Sequence, residues 1–231
     1  MAIRALAFDT GGTILDWHSG IRAAFERVAG ARGLSADWVA VTNEYRRRSL
    51  QGIVNAAQPP YNFDDVMRRV LDDLVADHGL GALTAADRDA IWRTWHALDA
   101  WPDFVAPLER LRRRFPVVSF TLLATSLVID VSRRNGIVWD AILSCEMIGW
   151  YKVRPEAYRT AAKWLQLEPS EILMVACHNF DLDAARACGY RTAFVRRPHE
   201  WGPPGPPDPV PNAACTYAVD DFAQLADALG A

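Results

Sequence analysis

Residues 3–12, IRALAFDTGG, decide how the chain is read. Ile3 to Phe8 form a short apolar run broken only by Arg4, too brief for a helix and suited to a strand buried on both faces. Asp9 ends the run, and Gly11-Gly12 follows, so the strand is expected to close on a tight turn that carries a carboxylate.

Working outward, similar runs recur at Val117 to Leu123, Ala141 to Cys145, Ile172 to Cys177 and Thr192 to Val195. Between them lie amphipathic stretches, Val105 to Arg114, Ser126 to Asn135, Glu156 to Leu165 and Leu182 to Cys188, two of them stopped by Gly136 and Gly189. Strands alternating with helices predict a doubly wound α/β core around a parallel sheet.

The first two strands are separated by roughly a hundred residues, far more than a βα connection needs. Ile21 to Ala29, Ala36 to Leu50, Phe63 to Ala76 and Ala85 to Leu98 have helical spacing, with Ser35 and Thr84 as candidate N-caps. The expected organisation is a core of residues 1–16 and 101–231 with an inserted helical cap, residues 17–100. Gly11-Gly12 and Trp101-Pro102-Asp103 are its candidate hinges. The proline-rich stretch from His199 to Asn212 reads as an irregular surface loop.

Composition narrows the function. With 231 residues, 51% hydrophobic, the chain can bury a substantial core. Its 25 basic and 28 acidic residues leave a net charge of -3, which gives no field to attract nucleic acid or an anionic membrane. A small-molecule substrate is expected instead, with a homodimer possible. The four cysteines show no CxxC pair and no metal-like spacing with the five histidines, so they read as reduced thiols. The opening MAIRALAFD meets an acid too early for a signal peptide, and a cytoplasmic location is expected.

Open α/β sheets bind ligands at the carboxyl ends of their strands. That rule singles out Asp9, Thr121, Lys152 and Cys177 to Asp181. Taken alone, Asp9 could equally hydrogen-bond its own turn, Lys152 could be a solvated surface residue, and Asp181 could cap a helix starting at Leu182.

Three segments in order carry a family resemblance. FDTGGTILDW, WDAILSCEMIGWYKVRPEAY and LMVACHNFDLDAARACGYRTAFVRRP resemble the nucleophile, lysine and acidic motifs of the haloacid dehalogenase (HAD) superfamily, most closely its type II 2-haloacid dehalogenases. The resemblance spans nearly the full chain. It implies a HAD-like Rossmannoid core with a helical cap, and a hydrolase in which Asp9 attacks a carbon, Lys152 supplies a cation and Asp181 assists water. It also implies an anion-binding arginine from the cap, for which Arg46 is favoured within the run Arg46-Arg47-Arg48. His178 and Asn179 are candidates to orient water or substrate, with support of neighbouring site residues or simple packing as the alternative, and His178 is not read as a metal ligand.

The chain departs from that pattern in two places. The family's Ser-Asn pair falls on Thr121-Leu122, or in another register on Thr125-Ser126, and Gly11 stands where an aromatic residue is usual. Gly11 is expected to open volume beside the nucleophile. It also lacks the second acid that phosphatases of the superfamily carry, and Cys177 is a poor magnesium ligand. No cofactor and no metal are therefore expected. The alternatives are a metal-dependent phosphatase on a small phosphorylated metabolite and a binding protein that has lost turnover.

Overall fold

The structure is a computed structural model and describes residues 2–54, 62–203, 205–206 and 209–231. Its centre is a six-stranded parallel sheet of order β3-β2-β1-β4-β5-β6. The strands are β1 (Ala5–Phe8), β2 (Val117–Thr121), β3 (Ala141–Ser144), β4 (Ile172–Ala176), β5 (Arg191–Val195) and β6 (Tyr217–Val219). β1 lies between β2 and β4, with Leu6 opposite both Val117 and Leu173. The chain winds from β1 to one edge and then restarts at β4 on the other side, which makes the carboxyl end of β1 a topological switch point.

Every residue of β1 is buried, because helices cover both faces of the sheet. Phe8 contacts the rings of Phe104, Trp139 and Phe222 at 5.9, 5.7 and 6.0 Å. Burying a side chain of this size stabilises the fold by roughly 1.5–3 kcal/mol. Phe222 belongs to a helix that the sequence reading omitted, and β6 was omitted with it. β6 has only three residues and sits at the sheet edge, so it shows no usable periodicity.

The insertion after β1 is helical: α1 (Trp17–Gly30), α2 (Trp38–Val54), α3 (Phe63–Asp77) and α4 (Ala85–Trp92), then a 3₁₀ turn at Arg93–Ala97. Thr84 caps α4 in a reciprocal box with Asp87, as its position suggested. Ser35 does not cap α2; the helix starts three residues later, where Asp37 accepts the Ala40 N–H at 3.0 Å. The helix expected over Ala85 to Leu98 tightens after Trp92 into the 3₁₀ turn. Trp95 there meets Tyr45 and Phe63, and His96 turns out to Asp130.

The chain enters and leaves the insertion side by side. Leu15 bridges Ala100, Asp16 N–H donates to the Asp99 carbonyl, and Trp101 N–H donates to the Ile14 carbonyl. The remaining helices are α5 (Val105–Arg112), α6 (Thr125–Asn135), α7 (Cys145–Ile148), α8 (Pro155–Leu165), α9 (Asn179–Ala187) and α10 (Phe222–Ala228). α9 begins three residues before the expected Leu182, which places Asp181 inside its first turn and rules out the N-cap role.

Candidate functional site

The turn after β1 positions the first carboxylate. Asp9 N–H continues the sheet to the Val175 carbonyl at 2.9 Å, and its side chain emerges at the switch point, only 8% exposed. Thr13 Oγ1 donates to Asp9 Oδ2 at 2.7 Å and accepts the Cys177 N–H at 3.1 Å, tying the β1 turn to the end of β4. Asp9 therefore belongs to a charged assembly.

Lys152, 2% exposed in the segment between α7 and α8, reaches Asp9 Oδ1 at 3.2 Å and Asp181 Oδ2 at 2.7 Å. Tyr158 of α8 donates to Asp181 Oδ1 at 2.5 Å. The fold thus brings Asp9, Lys152 and Asp181 together from three distant segments. Burial alone would push the Asp9 carboxyl up, but the Lys152 ammonium, the His178 hydrogen bond and Thr13 together hold it well below the usual carboxylate range. Asp181 goes the other way, pushed up by burial and by the Asp9 charge against the opposing pull of Lys152. Burial opposes the ammonium of Lys152, and the two carboxylates more than compensate.

These groups border a small cavity of about 50 Å³, which Gly11, Arg46, Thr121 and Leu122 also line. A wider cleft of about 510 Å³ near α5 is lined by the Arg112–Asp140 ion pair and holds no comparable convergence of charge. Thr121 is buried with its Oγ1 accepting the Leu123 N–H at 3.1 Å. Thr125 and Ser126 open α6 and do not line the cavity.

Of the three consecutive arginines, only Arg46 faces the cavity. Arg48 pairs with Glu44 and Asp77 on the surface, and Arg47 lines a separate hollow. Arg46 is 5% exposed and lies between Trp17 and Trp95, with its guanidinium carbon 5.6 and 5.4 Å from the ring centroids. Its Nη2 contacts the Gly11 carbonyl at 3.4 Å, while Nε and Nη1 have no protein partner. Gly11 lines the cavity beside Asp9, and the neighbouring groups there are Arg46 and Leu123: a Cβ on Gly11 would meet Arg46 Nη2 at 3.2 Å and Leu123 at 3.6 Å.

Asn179 is corrected as a cavity residue. Its amide donates to the Val210 carbonyl at 2.8 Å and its Oδ1 accepts the Asn212 N–H, so it fastens the C-terminal loop. The neighbouring His178 turns inward, with Nδ1 3.2 Å from Asp9 Oδ2 and Nε2 3.1 Å from both Glu200 oxygens.

Glu200 escaped the sequence reading altogether. The stretch beginning at His199 does not run wholly over the surface; Glu200 is 3% exposed, and Trp17 Nε1 donates to it at 3.0 Å. Cys177, His178 and Glu200 gather their donor atoms within 4.8 Å, a convergence that spacing in the sequence did not reveal. Thr13 and Tyr158 were missed too. Thr13 had a local signal, four residues from Asp9 in the same turn, and Tyr158 is the last residue of the segment that carries Lys152.

A family model described as haloacid dehalogenase-like hydrolase matches residues 3–189. The (S)-2-haloacid dehalogenase 1 of a Pseudomonas species is 27% identical over 84% of this chain and 85% of its own. A fructose-1-phosphate phosphatase of Escherichia coli is 24% identical over 83% and 95%. Among solved structures, a defluorinating L-2-haloacid dehalogenase superposes with TM-score 0.92 at 34% identity, covering 99% of this chain and 96% of the other. An L-2-haloacid dehalogenase gives 0.91 at 32%, covering 99% of both. With most of its length matched by the family model, and with a parallel-sheet fold shared end to end with these structures, the chain belongs to the haloacid dehalogenase-like hydrolases.

Proposed function

We propose that the protein hydrolyses the carbon–halogen bond of a short 2-haloalkanoic acid to give a 2-hydroxy acid. One observation carries the reading: a buried arginine with two unpartnered N–H groups shares a cavity of about 50 Å³ with a buried, ionised carboxylate. Unmet donors of a buried cation call for an anion. A cavity this small suits a small molecule. The similar dehalogenases act on substrates of this class.

In this reading Asp9 Oδ1 attacks the halogen-bearing carbon. An O–C bond forms, the carbon–halogen bond breaks with inversion, and halide leaves with the bonding pair. Arg46 orients the substrate carboxylate, and Thr121 borders it. Lys152 keeps Asp9 ionised and in place. Water then attacks Cγ of the ester and Asp181, whose raised pKa suits a base, takes its proton. That proton reaches the departing 2-oxygen through Lys152, which touches both carboxylates. Asp9 is left as an acid whose proton passes to solvent, so each cycle yields one alcohol, one halide and one proton.

The phosphatase reading has less support. A magnesium ion held by Asp9 and Asp181 would need the space between them, and the Lys152 ammonium is there, within 3.2 Å of one and 2.7 Å of the other. Gly11 offers no acid for an alkoxide leaving group. The residues do not fit that metal.

Residues 17–100 are proposed to act as a cap over a core of residues 1–16 and 101–231. Among the described residues no helix is long and apolar enough to cross a membrane. The four cysteines are free thiols, which supports a cytoplasmic setting, and a homodimer is a further proposal.

The test is halide release from chloro-, bromo- and fluoroacetate and both enantiomers of 2-chloropropionate, alongside phosphate release from a phosphomonoester with magnesium. Halide release with no metal requirement supports the reading. Magnesium-dependent phosphate release without halide would replace it.

A further inference from the structure

The two oxygens of Asp9 are held differently. Among the described residues, Oδ1 has one hydrogen-bond partner, the Lys152 ammonium at 3.2 Å, whereas Oδ2 receives Thr13 Oγ1 at 2.7 Å and His178 Nδ1 at 3.2 Å. A carboxylate oxygen that accepts two hydrogen bonds is the poorer nucleophile, so the freer Oδ1 attacks carbon. Oδ2 then becomes the carbonyl oxygen of the ester, already facing two donors. Resting on the dehalogenase reading above, we propose that His178, fixed by Glu200, forms with Thr13 the oxyanion site that drives hydrolysis of the Asp9 ester.

The positioning is specific. Both Glu200 oxygens lie 3.1 Å from His178 Nε2, so the proton on that nitrogen is shared by a carboxylate and Nδ1–H is directed at Asp9. Trp17 Nε1 anchors Glu200, and Phe180 stacks on the imidazole with ring centroids 5.3 Å apart. Gly12, with φ of +93°, leaves the room that Glu200 occupies. The groups facing the ring are Asp9, Glu200 and Cys177, with Arg46 beyond Glu200. Burial disfavours charge on His178, yet its pKa is raised well above the ordinary value. The Cys177 side chain, the Glu200 carboxylate and the hydrogen bond to Asp9 act in that direction, while burial and the Glu200 charge push the Cys177 thiol up in turn.

When water attacks Cγ, the carbonyl pair moves onto Oδ2 and the negative charge develops against Thr13 O–H and the imidazolium N–H. When the pair returns, the Cγ–Oδ1 bond breaks and the 2-hydroxy acid leaves with Oδ1. His178 neither gains nor loses a proton. It contributes little to the first step, in which Asp9 loses charge, and most to the second, in which Oδ2 gains it.

Rapid-quench kinetics with 2-chloropropionate, reading halide and intact protein mass together, separates the steps. In His178→Ala, one equivalent of halide should appear in a burst near the unaltered rate. Ester hydrolysis should then slow roughly 100- to 1000-fold, the usual cost of losing an oxyanion donor. The protein mass should rise by the propionate group on Asp9. His178→Gln, which keeps a neutral N–H donor, should restore part of the loss. Glu200→Gln should move the alkaline limb of ester hydrolysis to lower pH, a shift that a purely structural role for Glu200 would not cause.

A halide burst slowed as much as turnover, with no ester in either His178 variant, would overturn the proposal while leaving the dehalogenase reading intact. An unmoved alkaline limb in folded Glu200→Gln would overturn the role of Glu200. If the unaltered enzyme releases no halide from any substrate, the dehalogenase reading fails first and the proposal falls with it.

Discussion

Glu200 occupies the space that a side chain at Gly12 would need: a Cβ on residue 12 would overlap Glu200 Oε1. A glycine in the nucleophile turn and a glutamate in a proline-rich loop near the other end of the chain are therefore one steric unit. Gly12→Ala should expel Glu200 from His178 and also strain a backbone at φ +93°. The expected cost is at least about 1 kcal/mol of stability, measured by urea unfolding, together with loss of turnover. A variant of unchanged stability and rate would show that the packing is looser than the contact implies.

Gly11 is governed by a different neighbour. A methyl group there approaches Arg46 Nη2 at 3.2 Å, close enough to nudge the guanidinium. Gly11→Ala should raise KM for 2-chloropropionate by about tenfold, the equivalent of roughly 1.4 kcal/mol of binding, with kcat changed less. Gly11→Tyr should displace the arginine and abolish activity rather than narrow the substrate range. Steady-state kinetics across acids of increasing chain length distinguishes these outcomes, and retained activity in Gly11→Tyr would mean that Arg46 does not hold the substrate.

The contrast between these glycines shows what could be read from sequence. Asp9, Lys152 and Asp181 were legible because strand ends of an α/β sheet converge on one crevice, so each residue was located by its place after a strand or in a motif. Glu200 was not legible. It is brought in by a loop without periodicity, and nothing local marks a glutamate that will be buried. Asn179 and His178 are adjacent, yet the start of α9 sends one side chain out to the C-terminal loop and the other in to Asp9. Pattern identifies such a segment but not the direction of each side chain.

His96 joins the helical insertion to the core. Its Nε2 meets Asp64 of α3 at 3.2 Å and its Nδ1 meets Asp130 of α6 at 2.7 Å. The Asp64 hydrogen bond, with further help from Asp130 and against partial burial, raises its pKa. A raised folded-state pKa means that this contribution is complete below the unfolded value near 6.5 and is lost as pH rises through the folded value. His96→Gln should therefore destabilise the protein at pH 6 by roughly 0.5–1 kcal/mol and much less at pH 9. Urea unfolding at the two pH values checks this, and an equal deficit at both would assign His96 a packing role alone.

Lys152→Met removes the cation that two buried carboxylates share. Methionine can occupy much of the lysine volume, so the main loss is electrostatic. Asp9 would keep His178 and Thr13, while Asp181 would retain the Tyr158 hydroxyl as its one side-chain donor among the described residues. Breaking a buried pair by removing one partner costs roughly 3–5 kcal/mol, because the surviving charge is left without compensation. Asp181 can escape by taking up a proton. Its pKa is already raised by burial and by the Asp9 charge, and without the ammonium it should rise further. The sign follows: with a folded pKa above the unfolded value, the variant is most stable at low pH and loses stability as pH rises through the folded value. The deficit relative to the unaltered protein should be smaller at pH 5 than at pH 8, and activity should be lost at both. Urea unfolding of the two proteins at these pH values provides the measurement. A deficit that grows toward pH 5 would mean that Lys152 does not compensate Asp9 and Asp181 in the folded state.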